Sequence, residues 1–73
     1  MDSDNLVRMA NRIGDFFEAM PDRDEALEGI ATHLKKFWDP RMRTQFLGMV
    51  DTDAPELHDI VRAAVERHRA LLA

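Results

Sequence analysis

The chain contains no cysteine and no tyrosine, and a single serine and a single tryptophan. Without cysteine there is no disulfide framework, no thiolate metal site and no Cys nucleophile, a pattern suited to a reducing cytoplasm. Ser3 lies in a terminus expected to fray, and no nucleophile has a base placed to activate it, which speaks against a hydrolase. The glycines Gly14, Gly29 and Gly48 are too far apart to form a phosphate-cradling loop. His33, His58 and His68 lack the helical spacing that sets two zinc ligands on one face, so His33 reads as a packing histidine and not a ligand. No apolar run exceeds four residues, so neither a membrane span nor a signal-peptide core is expected. A net charge of −4 argues against general affinity for nucleic acid, and hence against a small helix-turn-helix regulator.

Hydrophobic content of 45% and charged content of 33% are those of a folded domain. Its 73 residues allow one domain, residues 1–73, whose core alone supplies only about 3–5 kcal/mol. Outside support is therefore expected. The abundant carboxylates read as caps and solvated faces, because so short a chain offers few buried cleft positions that could raise a pKa for general acid work. Charge is also polarised along the chain. Residues 15–28 set six acids against Arg23, a net −5, whereas residues 33–43 set Lys35, Lys36, Arg41 and Arg43 against Asp39, a net +3. A small polarised surface suits docking on a defined partner.

Hydrophobic spacing has the helical period throughout and nowhere alternates with period two. It predicts an all-α fold, a small bundle or orthogonal array of four short amphipathic helices over about 4–20, 23–38, 40–49 and 54–72. The first, capped by Ser3 or Asp4, carries Leu6, Met9, Ala10, Ile13, Phe16, Phe17 and Met20 on its apolar stripe, and Gly14 there suggests close packing against another helix. The second starts at a capping box, Asp22 to Glu25, and buries Ala26, Leu27, Ile30, Ala31, Leu34, Phe37 and Trp38. The third should be the shortest, with Met42, Phe46 and Met49, then Leu47 and Val50, facing inward. The fourth follows a second capping box, Asp53 to Glu56, and turns Leu57, Ile60, Val61, Ala64, Val65, His68, Leu71 and Leu72 inward.

The junction at residues 33–43 is the best-specified stretch. Pro40 bars the α conformation at Asp39, so one helix ends after Trp38 while Asp39 and Pro40 supply the N-cap and first position of the next. Phe37, Trp38 and Met42 then form an apolar elbow wrapped in Lys35, Lys36, Arg41 and Arg43. Arg41 and Arg43 oppose the helix dipole at about 0.3–1 kcal/mol each, so something should compensate. Two readings stand. The guanidinium groups pair with Asp39, with acids of the first two helices or with carboxylates of a partner. Alternatively they join the free N–H groups of the helix start, with Lys35 or Lys36, around a phosphate. Trp38 fits both a docking anchor and the core stripe.

Leu6-Val7-Arg8-Met9-Ala10-Asn11 with Ile13-Gly14 and Phe16-Phe17, followed by His33 through Arg43 with its Phe-Trp-Asp-Pro-Arg-Met-Arg string, resembles the delta subunit family of the soluble NAD-dependent, molybdenum-containing formate dehydrogenases. Val61-Arg62-Ala63-Ala64-Val65 follows a looser C-terminal pattern, and Arg12 stands where that family suggests Gln. The resemblance implies a non-catalytic accessory subunit with no cofactor of its own. Its complex is implied to carry bis-molybdopterin guanine dinucleotide, iron–sulfur clusters and FMN, on a large molybdenum-bearing subunit and on electron-transfer subunits. The chain is then expected to support assembly, stability or molybdenum-cofactor insertion. Its alternative role is a free-standing maturation chaperone that binds a guanine nucleotide, or the guanine dinucleotide part of the cofactor, at the basic helix start. In either role the candidate binding residues are His33, Lys35, Lys36, Phe37, Trp38, Arg41, Met42 and Arg43, with Arg8, Asn11 and Arg12 as secondary candidates.

Overall fold

The structure, a computed structural model, describes residues 3–52 and 54–73, except for the side chain of Ser3. Five helices follow in order: α1 Ser3–Glu18, α2 Arg23–Phe37, α3 Pro40–Thr52, α4 Asp59–Arg67 and the single turn α5 Arg69–Leu72. No strand is present among the described residues, and no described helix is long and apolar enough to cross a membrane. The fold is all-α, as the hydrophobic period implied. α2 is the central element, packed on α1, α4 and α5, while α1 also meets α3 and α4.

The caps at the α2 and α3 starts form as their sequences require. Asp22 accepts the backbone N–H of Asp24 at 2.9 Å and of Glu25 at 3.3 Å. Asp39 accepts that of Met42 at 2.9 Å, and α3 begins on Pro40. Ser3 and Asp4 lie inside the first turn of α1 instead of capping it. The second capping box involves Asp53, which lies outside the described residues.

Helix bounds differ from expectation at three places. α3 extends to Thr52 and is longer than α4, so it is not the shortest helix. α4 begins only at Asp59, because residues 54–58 form a turn that is held from elsewhere in the chain. Ala54 and Leu57 are buried there, and Asn11 of α1 grips the turn from both sides: its Oδ1 accepts the His58 backbone N–H at 2.9 Å and its Nδ2 donates to the Glu56 carbonyl at 3.0 Å. His58 also meets Asp15 of α1, Nδ1 to Oδ1, at 3.0 Å. The third difference is a break at His68 (φ −115°, ψ 32°), which separates α4 from α5 and leaves Leu71 on the surface while Leu72 is buried.

Leu6, Ile30, Leu34, Phe46, Val61 and Val65 form the fully enclosed centre of the core. Gly14 is where α1 and α4 approach: a Cβ there would stand 2.5 Å from Val61 Cγ2 and 3.2 Å from Ile60 Cγ2, which accounts for glycine at that position. Besides Leu71, two apolar residues placed on the core stripes are instead on the outside, Phe16 at 74% and Phe37 at 71% exposure. Adjacent residues diverge by about 100° around the helix axis, so the ring nearer the middle of the buried face takes the inward place and its neighbour is turned toward the edge. The buried row Leu6–Ala10–Gly14 selects Phe17 over Phe16, and Ile30–Leu34–Trp38 selects Trp38 over Phe37.

Two arginines close helix ends. Arg43 Nη1 donates to the carbonyls of Trp38 at 2.7 Å and Lys35 at 3.2 Å at the end of α2. Arg62 of α4 donates through Nη2 to Ala54 at 2.8 Å and through Nη1 to Val50 at 3.5 Å at the end of α3. Cations at helix C-termini also complement the dipole. Arg69 of α5 grips Asp51 of α3 with two bonds of 2.6 Å, and this hydrogen bonding holds the Asp51 carboxyl below its ordinary pKa and the Arg69 guanidinium above its own. Arg67 pairs with Asp24 at 2.9 Å and ties α4 to the start of α2.

Candidate functional site

The elbow at residues 37–43 divides into an inner and an outer half. Trp38 leaves α2 in extended conformation (φ −93°, ψ 134°), is 5% exposed, and packs edge-to-face on Phe46 with centroids 5.3 Å apart. It is a core residue and not an anchor open to a partner. Met42 is half-buried against the same core. Arg43 is turned inward as well: its stem lies among Leu34, Trp38, Phe46, Leu47 and Leu72, and its Nη1 is held by the Trp38 and Lys35 carbonyls. The compensation expected for this guanidinium comes from main-chain carbonyls, not from carboxylates. With Asp39 occupying the cap and Arg43 turned away, the start of α3 does not gather both arginines around one point.

The outer half is Phe37, Lys35, Lys36 and Arg41, all exposed. Phe37 continues into an array that the residue spacing did not anticipate. Its ring lies 4.7 Å from the half-buried His33 ring, His33 lies 6.4 Å from Phe17, and Phe17 lies 5.1 Å from Phe16, the last two contacts being edge-to-face. Four rings from α1 and α2 thus form one continuous strip with an exposed phenylalanine at each end.

Gly29 makes the strip possible. A Cβ there would stand 2.5 Å from the Phe17 ring, so the missing side chain lets Phe17 lie across α2 and reach His33. Beside Phe17 opens an apolar groove of about 330 Å³ lined by Arg12, Ile13, Phe16, Phe17 and His33. A second depression on the other side of His33 carries Lys36 and Phe37 at one end of α2 and Glu25 and Glu28 at the other. Exposed aromatic surface of this kind, rimmed by charge, marks interaction sites.

The secondary candidates separate in the same manner. Arg12 lines the groove and Arg8 is exposed one turn before it, whereas Asn11 is spent on the 56–58 turn. The side chains of Arg8, Arg12, Lys35, Lys36 and Arg41 have no hydrogen bond or ion pair among the described residues. The site is therefore Phe16, Phe17, His33 and Phe37 with Arg12 and Lys36 beside them. Phe16 and Phe17 were the residues missed, because both fit the broad apolar stripe of α1 and only packing decides which ring is turned outward.

A family model described as NADH-dependent formate dehydrogenase delta subunit matches residues 5–65, a span that includes the whole strip. No curated protein and no solved structure matches the chain. With the match running through α1, α2, α3 and most of α4, the chain belongs to the formate dehydrogenase delta subunit family.

Proposed function

We propose that this chain is a non-catalytic accessory subunit of an NAD-dependent, molybdenum-containing formate dehydrogenase in the cytoplasm. It docks through the Phe16–Phe17–His33–Phe37 strip on the subunit that bears the molybdenum cofactor, and supports assembly of that subunit and insertion of its metal. The exposed strip carries the proposal. Two phenylalanine rings more than 70% exposed are a liability on a free surface and an asset at an interface, where aromatic residues concentrate binding energy. A chain of 73 residues also has reason to lean on a larger body, given its limited core. Family membership supports a formate dehydrogenase complex as the setting.

Co-expression of the enzyme with this chain, without it, and with a Phe16→Ser/Phe37→Ser variant tests the reading. Co-purification, molybdenum content and formate oxidation are measured separately. The expected result is a folded variant that no longer co-purifies, with molybdenum content falling to the level seen without the chain. Retention of the variant at full metal content would overturn the proposal.

A further inference from the structure

We infer that α5 is a strap: residues 69–73 lift as a unit about His68 while α1–α4 stay folded, and in lifting they uncover an apolar slot built on Trp38. The inference is independent of the docking role proposed above, because slot and aromatic strip share no residue. The helical path breaks at one point. His68 (φ −115°, ψ 32°) ends α4 and starts α5 without a side-chain cap, and residues at an element end are where a hinge absorbs its dihedral change. Before that point α4 is anchored, with Val65 fully buried and Arg67 paired with Asp24 at 2.9 Å. Beyond it two pins hold. Leu72 is the one buried residue of 69–73, and Arg69 meets Asp51 through side chains about half exposed, where water competes for the same groups. A lone helical turn is not stable by itself, so α5 keeps its form only while these pins keep it in place.

What lies under the strap favours its release. Leu72 sits in a slot with Leu34, Trp38, Arg43, Phe46 and Leu47. Arg43 spends its Nη1 on the Trp38 and Lys35 carbonyls, but its Nε is enclosed with no hydrogen-bond partner among the described residues. A buried donor left unpaired is costly, and lifting Leu72 opens the slot so that water reaches it. Closure stores a cost that opening returns. Against this stands the apolar surface of Leu72 and Trp38, which is exposed on opening and keeps the closed form in the majority. The enclosed centre of Leu6, Ile30, Val61 and Val65 takes no part in the slot, so it survives the movement. A segment with so few buried contacts opens locally, well before the whole fold does.

The test uses the full chain and two probes, amide exchange by NMR and acrylamide quenching of Trp38, the single tryptophan. The Leu71 and Ala73 amides, which donate to the His68 and Arg69 carbonyls at 3.0 and 2.9 Å, are read against the amides of α2. The expected protection at Leu71 and Ala73 is roughly a hundredfold below that of α2 and nearly independent of urea below the unfolding transition. Arg69→Ala removes one pin at an exposed position. It should lower that protection roughly fivefold and raise the quenching of Trp38 in step, with protection in α2 unchanged. Asp51→Ala removes the same pin from the other side and should reproduce both changes. Equal protection and equal urea dependence at Leu71 and in α2 would show that no separate unit opens, which overturns the inference. Faster exchange at Leu71 in Arg69→Ala with the quenching of Trp38 unmoved overturns it as well, because the turn then unravels without uncovering the slot.

Discussion

Arg43 closes the helix that precedes its own: its Nη1 lies 2.7 Å from the carbonyl oxygen of Trp38. Arg43→Met keeps the apolar stem among Leu34, Phe46 and Leu72 but leaves the Trp38 and Lys35 carbonyls without their donor. The expected loss is about 1–3 kcal/mol, a fall in Tm of roughly 4–8 °C per kcal/mol in a domain of this size. Thermal and urea unfolding followed by circular dichroism measure it. An unchanged Tm would mean that water replaces the guanidinium without cost.

Gly14 and Gly48 should respond oppositely to alanine. At Gly14 the new methyl meets Val61 at 2.5 Å, and overpacking of this kind costs about 1–3 kcal/mol despite the better helix propensity of alanine. At Gly48 nothing lies within 4 Å, so Gly48→Ala should stabilise α3 by up to about 1 kcal/mol. Paired melting curves check both signs at once.

Phe37 and Trp38 are neighbours with opposite roles. Trp38→Ala empties a buried site against Phe46 and should cost about 3–5 kcal/mol, enough to unfold the isolated chain. Phe37→Ala should change stability by no more than about 0.5 kcal/mol. If Phe37→Ala unfolds the protein while Trp38→Ala does not, the division of the elbow proposed here is wrong.

Acid should release the C-terminal turn before the rest of the fold. The hydrogen bonds from Arg69 lower the Asp51 pKa in the folded state, so this link contributes fully above the ordinary carboxylate pKa of about 4 and fades as pH falls through the lower folded value. Relative to the intrinsic exchange rate at each pH, the protection of amides in residues 69–72 should fall below that pH while that of α2 persists. Asp51→Asn should show the low protection already at neutral pH, and protection that does not change with pH in the parent chain would contradict the assignment.

The helical architecture and the Asp39–Pro40 junction were legible because they depend on residues within one turn of each other: a carboxylate, a proline with its fixed φ, and a hydrophobic period. What local pattern could not supply was anything set across the fold. The start of α4 depends on Asn11, some 45 residues away, holding Glu56 and His58. The inward turn of Arg43 depends on carbonyls that exist as acceptors only once α2 has ended. Phe16 and Phe37 were assigned to apolar stripes because a stripe is broad enough to admit either of two adjacent rings, and only packing against α4 and Phe46 chooses between them. For the same reason the basic residues were visible early, and the aromatic strip was not.

The two arginines that close α2 and α3 also impose a sequence in time. Synthesis proceeds from the N-terminus, so the end of α2 stays open until residue 43 leaves the ribosome, and the end of α3 until residue 62 does. Replacing Arg62 alone therefore reaches back to loosen the end of α3, a segment that the substitution never touches in sequence.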